Sequence, residues 1–253
     1  MKAIILSAGQ GKRLLPLTEH LPKCLLQVQG KTILEWQLDT LFACGVTDVT
    51  VVVGYQAEQV EAVLRDKYRK TAIHTLLNAE FSTTDNLVSC WLARTEMQED
   101  FLLLNGDTLF EPAILRQLLK EAQAPVTVTV NQKNGYDSDD MKVSLAAGRL
   151  LRIGKDIPQA ETDGESIGLL LFRGTGPKLF REGLEKAVAD TSLVWRWFLS
   201  VVNAIAQEEE VRTCLINGKA WCEIDYPADL ECAQQIMAEA AAPAGSFACK
   251  ATS

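Results

Sequence analysis

The sequence predicts an α/β fold, a mostly parallel sheet flanked by helices, with a small antiparallel elaboration in its second half. Three observations lead there. Apolar and β-branched runs alternate with helix-period segments through residues 1–125. The runs at 3–7, 48–53 and 101–104 are apolar almost without interruption, as strands buried on both faces are. After residue 125 the pattern changes to short strands joined by tight turns.

Taken in order, a strand over 3–7 opens the chain and is followed by Gly9 and Gly11. Helical periodicity resumes over 33–44, and 48–53 is the second strand. Val60, Val63 and Leu64, with charges between them, make 56–70 an amphipathic helix. A strand over 73–77 follows, then a helix over 85–97 capped by Thr84 or Asp85, then the strand 101–104. Strand 126–130 alternates valine with threonine, and strands 142–145 and 150–153 flank the hairpin signal Ala146-Ala147-Gly148-Arg149. Strand 166–173 precedes helices over 176–189 and 195–207. Asn217-Gly218 favours a type I′ turn and predicts a second hairpin there. The last helix, 227–241, opens on Pro227, where a missing N–H costs nothing. No repeat or linker divides the chain, so 1–241 reads as a single domain with halves 1–125 and 126–241, and the unpatterned 242–253 reads as a flexible tail.

Composition excludes several functions. Lys plus Arg number 25 against 33 Asp plus Glu, a net charge of −8, so the surface lacks the basic footprint that grips nucleic acid. No apolar run approaches the roughly 20 residues that cross a bilayer, and no leader of about 7–15 apolar residues precedes a cleavage site. Seven cysteines, an odd number without a CxxC pair, fit reduced thiols, and a cytoplasmic location is expected. With only His20 and His74, histidine triads and multi-histidine metal sites have few candidates. The sequence leaves the oligomeric state open.

The most informative segment is Leu6-Ser7-Ala8-Gly9-Gln10-Gly11-Lys12-Arg13-Leu14-Leu15-Pro16. Two glycines directly after the first strand let backbone N–H groups approach a ligand, and Lys12 and Arg13 add positive charge, as a phosphate cradle requires. The dinucleotide fingerprint fails because Leu14 stands at its third glycine, and the ATPase-type P-loop fails because Arg13 follows Lys12 where Ser or Thr belongs. A tight turn with surface cations is the plainer reading of the same residues.

Further motifs follow in order: Pro22-Lys23-Cys24-Leu25-Leu26, Gly30-Lys31-Thr32-Ile33-Leu34, Asn105-Gly106-Asp107 and Trp221-Cys222-Glu223-Ile224-Asp225. Together with the glycine loop they resemble the NTP-transferase family, the sugar-phosphate and phosphocholine nucleotidyltransferases, over about residues 1 to 236. The resemblance implies a Rossmann-like, GT-A-like nucleotidyltransferase fold with a nucleotide-binding first half and an acceptor-binding second half. It implies a nucleotide site of Leu6, Ala8, Gly9, Gln10, Gly11, Lys12, Arg13, Asn86 and Gly106. Arg13 would contact the β and γ phosphates, Lys23 the reacting phosphates, and Asp107 and Asp225 would hold Mg²⁺ as cofactor. Arg13, Lys23, Asp107 and Asp225 are thus the expected catalytic set. Asp225 also precedes Pro227, as a helix N-cap does, and both roles can coexist. Ser7, Lys12 and Cys24 depart from the commoner Ala, Thr and Pro, which weakens the match to the hexose-1-phosphate branch.

Such a site joins the NMP part of a triphosphate, CTP favoured, to a small phosphorylated acceptor with release of pyrophosphate. The attacking oxygen is already anionic, so no protein nucleophile or strong base is needed, which accounts for the scarcity of histidine. The segment Thr84 to Ser89 resembles the bacterial phosphocholine cytidylyltransferases and the related aminoethylphosphonate and cyclitol-phosphate enzymes. Lys142, Lys155, Glu165, Trp195, Trp221 and Glu223 are the candidate acceptor residues. The two lysines either bind an acceptor phosphate or lie on a solvated hairpin. Trp195, Trp221 and Tyr226, with Glu223, Asp139 or Asp140 as counter-charge, either form a cage for a quaternary ammonium or pack in the core. The other readings are a sugar-1-phosphate nucleotidyltransferase and a module that binds nucleotide without turnover.

Overall fold

A computed structural model of the chain describes residues 1–189 and 197–241. Its elements in order are β1 (Lys2–Ser7), β2 (Gln27–Val28), β3 (Lys31–Thr32), α1 (Ile33–Ala43), β4 (Asp48–Val53), α2 (Ala57–Lys67), β5 (Ala72–Leu77), α3 (Asn86–Leu92), β6 (Phe101–Asn105), β7 (Thr108–Phe110) and α4 (Pro112–Glu121). The second half adds β8 (Val126–Asn131), β9 (Lys142–Ala146), β10 (Arg149–Gly154), β11 (Gly164–Phe172), α5 (Gly176–Ala189), α6 (Leu199–Glu208), β12 (Val211–Leu215), β13 (Trp221–Glu223) and α7 (Pro227–Ala241). The predicted tail beyond 241 lies outside the described residues.

Nine strands form one mixed sheet in the order β5-β4-β1-β6-β11-β8-β12-β10-β9. The first four are parallel. The antiparallel part is larger than the small elaboration expected, because β11 continues the same sheet by pairing antiparallel with both β6 and β8. Strand alternation explains why the parallel strands are apolar throughout. Ile4, Leu6, Leu103 and Phe172 enter a core under α3, α5 and α6, whereas Ala3, Ile5, Val51, Leu102 and Leu104 enter one under α1, α2 and α4. The chain leaves β1 for β4 and β5 on one side and returns to β6 on the other. That reversal at β1 opens a crevice at the carboxyl ends of the strands, where open α/β sheets bind ligands.

Side chains cap the starts of α1 and α3. Thr32 and Glu35 form a reciprocal capping box on α1, and the Asp85 carboxylate, the second of the two expected caps, accepts from the Asn86 N–H at 2.7 Å on α3. The helix expected over 85–97 gives way to a 3₁₀ turn at Ala93–Glu96. The two- and three-residue strands β2, β3 and β7 are too short to carry a pattern, and they were not anticipated from the sequence; neither was α4, although Ile114, Leu115 and Leu118 form a clear apolar face on it.

The two turn predictions fared differently. Ala147 and Gly148 both take positive φ, 49° and 75°, as a type I′ turn demands, and β9 and β10 form the expected hairpin. The hairpin expected about Asn217-Gly218 does not form. Only Gly218 there takes positive φ, so the strands splay: β12 runs parallel to β8, and β13 pairs antiparallel with the distant β7. A third, small core of Leu14, Val28, Ile33, Leu109, Ile224 and Met237 then binds the glycine loop, the β2–β3 pair and α7 into one unit.

Candidate active site

The pairing of β6 with β1 and of β13 with β7 brings two carboxylates to the crevice. Gly106 follows β6 so closely against β1 that an added Cβ would lie 2.4 Å from the Leu6 carbonyl oxygen and 2.5 Å from Ser7 Oγ. Only glycine permits that approach. The Gln37 side chain on α1 donates to the carbonyls of Asn105 and Thr108 at 2.7 and 2.9 Å, buttressing the turn that presents Asp107. Pairing of Thr108 with Glu223, and donation by the Ile224 N–H to the Asp107 carbonyl at 3.1 Å, then carry Asp225 to the same place.

Between the two carboxylates lies one ammonium. Lys23 Nζ donates to Asp107 Oδ2 at 2.8 Å and to Asp225 Oδ1 at 2.6 Å, with only 12% of its side chain exposed. Burial opposes its charge, but the two carboxylates outweigh burial and hold its pKa above the ordinary lysine value. The loop itself turns at Gly11, φ 73°, whose Cβ position would crowd the Lys23 side chain at 3.0 Å. Thr18 Oγ1 donates to the Gly11 carbonyl at 2.8 Å, and a 3₁₀ turn at Lys12–Leu14 presents Arg13. Arg13 donates to Asp225 Oδ2 at 3.2 Å and Asp139 Oδ1 at 3.4 Å. The Asp225 carboxylate is thus taken by cations, and Asp229 reaches back to accept from the Asp225 and Tyr226 N–H groups, which resolves the capping alternative. Glu223 is exposed at the rim of the cleft, and the cleft walls around its carboxyl, then repulsion from Asp107 and Asp225, raise its pKa above the ordinary glutamate value.

The cleft has a volume of about 410 Å³. Of the predicted nucleotide residues, Leu6, Ala8, Gly9, Gly11, Arg13, Asn86 and Gly106 line it, and Gln10 and Lys12 line an adjoining recess shared with Arg13 and Asp225. Asn86 also has a packing task, since its Oδ1 accepts from the Phe198 N–H at 2.9 Å. Lys155 and Glu223 line the cleft as expected. Three acceptor candidates do not. Lys142 is 5% exposed and donates to the Lys155 carbonyl at 2.7 Å, a bond that fixes the β9–β10 pair and leaves its ammonium no reach into the cleft. Glu165 is buried on β11 between Asn131 and Lys133, at 3.0 and 2.7 Å. Trp221 sits opposite Phe110 in the β7–β13 pair and packs on the core beneath. Trp195 lies outside the described residues.

Sequence reasoning also missed contributors. Trp197 lines the cleft with Lys155 Nζ 4.5 Å from its ring centroid, so an aromatic face is present, but not from the tryptophans first named for it. Ser166 and Gly168 reach the floor because β11 is irregular between Ser166 and Leu170, with Gly168 at φ 73°. Serine and glycine two apart within an apolar strand were the available signal. Among the described residues, no group of three or more His, Cys, Asp and Glu side chains is placed to hold a metal. No helix there is long and apolar enough to cross a membrane.

Residues 3–152 match the family described as the MobA-like NTP transferase domain. A CMP-5'-(3-aminopropyl)phosphonate synthase of Streptomyces rubellomurinus is 40% identical over 124 residues, 49% of this chain, and the chain spans 20% of that protein's length. A choline-phosphate cytidylyltransferase of Streptococcus pneumoniae is 27% identical over 244 residues, covering 94% of this chain and 98% of that protein. In fold, the chain is like a solved inositol-1-phosphate CTP transferase from T. maritima, with a TM-score of 0.80, 24% identity and coverage of 94% and 95%.

Proposed function

The chain belongs to the MobA-like NTP transferase family, and from that premise we propose that it is a Mg²⁺-dependent cytidylyltransferase. It joins the CMP part of CTP to a small acceptor bearing a phosphate or phosphonate, and releases pyrophosphate. One observation carries the reading. Lys23, Asp107 and Asp225, from three distant parts of the chain, meet at 2.8 and 2.6 Å beside the glycine loop. The full-length likeness to a choline-phosphate cytidylyltransferase supports the choice of nucleotide and acceptor class.

In this reading the triphosphate lies along Ala8 to Arg13, with loop N–H groups and Arg13 taking its outer phosphates. Lys23 faces the α-phosphate and moves from the two carboxylates to the charge that builds on the pentacoordinate phosphorus. The acceptor enters from the side of Lys155 and Trp197, so that its anionic oxygen attacks in line and the pyrophosphate leaves toward Arg13. No residue needs to remove a proton. Asp107 and Asp225 suit a hard divalent cation: together they already clasp one positive charge, and Asp107 Oδ1 is buried without a partner. Mg²⁺ held there would neutralise charge on the triphosphate, its remaining ligands being phosphate and water oxygens. The six free cysteines among the described residues agree with a cytoplasmic setting.

The test is a matrix of CTP, UTP, GTP, ATP and dTTP against phosphocholine, 2-aminoethylphosphonate, inositol phosphate and glucose 1-phosphate, read by pyrophosphate release. Turnover is expected with CTP and one of the first three acceptors. Silence across the matrix, or a best pair of another triphosphate with glucose 1-phosphate, refutes the proposal.

A further inference from the structure

One side chain outside the chemistry above ties the two ends of the cleft together. Asp139 lies on a turn closed by its own hydrogen bonds. The Asp137 carboxylate accepts from the Asp139 and Asp140 N–H groups at 2.7 and 3.0 Å, and the Asp140 carboxylate accepts from the Asp137 N–H at 2.7 Å. From this fixed base the Asp139 carboxylate projects into the cleft. Its Oδ1 accepts from Arg13 at 3.4 Å and from Lys155 at 3.2 Å, and its Oδ2 accepts from the Tyr226 hydroxyl at 3.0 Å. Arg13 in turn reaches Asp225, and Lys155 rests on the Trp197 ring. Charges therefore run in one alternating line, Asp107, Lys23, Asp225, Arg13, Asp139, Lys155, from the end of β6 to Trp197.

We propose that Asp139 is a positioning residue: it holds Arg13 and Lys155 on one carboxylate and releases Arg13 to incoming phosphates, so that binding at the phosphate loop is felt at Lys155 and Trp197. The inference rests on the reading of that loop as a polyphosphate site. Arg13 and Asp139 are 46% and 41% exposed, so their pair is weak and yields readily to an oligoanion. Once Arg13 leaves, Lys155 is, among the described residues, the one cation on Asp139 Oδ1. The carboxylate then draws that ammonium more strongly against the pull of the indole face. Without Arg13 and Lys155, Asp139 would instead present an uncompensated negative charge to a negatively charged substrate. Its pairing to both cations removes that repulsion while keeping the cations at the cleft.

The experiment uses the full chain and inorganic tripolyphosphate, which carries no base to stack on an indole. Tryptophan emission is followed on titration, and subtraction of the Trp197→Phe signal isolates Trp197 from the other four tryptophans. In the wild type, saturation changes Trp197 emission. In Asp139→Asn, which keeps an acceptor for the Tyr226 hydroxyl but no charge, that change is lost. Calorimetry then shows tripolyphosphate binding retained and up to about fivefold tighter, the scale set by one half-exposed ion pair. Arg13→Gln also abolishes the Trp197 response. A response that survives in either variant overturns the inference, since the anion would then act on Lys155 directly. If Asp139→Asn responds as the wild type does while the substrate matrix shows turnover, only the inference falls. If tripolyphosphate does not bind and no pair turns over, the functional reading falls with it.

Discussion

Replacing Lys23 by methionine removes the charge but keeps most of the chain that fills its place. In the folded protein this leaves Asp107 and Asp225, previously bridged at 2.8 and 2.6 Å, without the ammonium between them, so that, among the described residues, only Asp225 keeps a cation, Arg13 at 3.2 Å, and Asp107 Oδ1 is already unpartnered. Breaking a fully buried pair costs about 3–5 kcal/mol. Here the carboxylates keep 23% and 32% of their surface in solvent, so about 1–3 kcal/mol is the expected loss of stability after discounting for water. The rate should fall by about 10²-fold or more, as when one preorganised donor to a developing charge is deleted. The same deletion frees Asp107 Oδ2 and Asp225 Oδ1 for a metal. Millimolar Mg²⁺ or Mn²⁺ should therefore raise the midpoint of thermal unfolding more in Lys23→Met than in the wild type, by mass action on the folded state. Differential scanning fluorimetry with and without metal, beside initial rates of pyrophosphate release, reads all three effects. A rate within a few-fold of wild type, or equal stabilisation of both proteins by metal, would refute the assignment of Lys23 as the cation that bridges these carboxylates and meets the reacting phosphate.

Three further outcomes are expected. Gly106→Ala drives a methyl to within 2.4 Å of the Leu6 carbonyl oxygen, so β6 and β1 must part and Asp107 must shift; a rate loss exceeding the fraction of protein unfolded in urea titration would confirm displacement of the carboxylate. Glu35 is buried, which favours its neutral form, yet Lys67 and Thr32 hold its pKa below the ordinary value of 4.5. Its stabilisation is present above that value and lost as pH falls through the lower folded value, so Glu35→Gln should lose about 1 kcal/mol at pH 7 and close the gap to wild type in acid, as denaturant midpoints from pH 7 to pH 3 will show. Lys142→Met and Trp221→Phe should lower thermal stability and leave the KM for acceptor within about twofold, because neither side chain meets the cleft; a KM rise of tenfold in either would restore it as an acceptor residue.

The first half of the molecule was legible because local chemistry and tertiary structure agree there. Runs of Val and Leu can bury both faces only in a sheet covered by helices on both sides, and Asp48–Val53 came out with the bounds the sequence implied. The glycine loop was readable for a similar reason, since a left-handed turn or a close backbone approach leaves a residue-type signature at Gly11 and Gly106. The acceptor end was less so. Tryptophans look alike in sequence whether they pack, like Trp221, or face a cleft, like Trp197, because the choice depends on which strand lies opposite.

By itself the amino-acid order determined the alternation of strands and helices and the glycine turn after β1, and its resemblance to a known family pointed to Arg13, Lys23, Asp107 and Asp225. Tertiary structure alone decided that they meet. Asn217-Gly218 carries the local signal of a hairpin, yet β13 is pulled away to β7 by backbone pairing and by the small core around Leu14 and Ile224. That choice between a near partner and a far one is made by burial summed over many residues, and it sets Asp225 against Lys23, more than 200 positions apart in the chain.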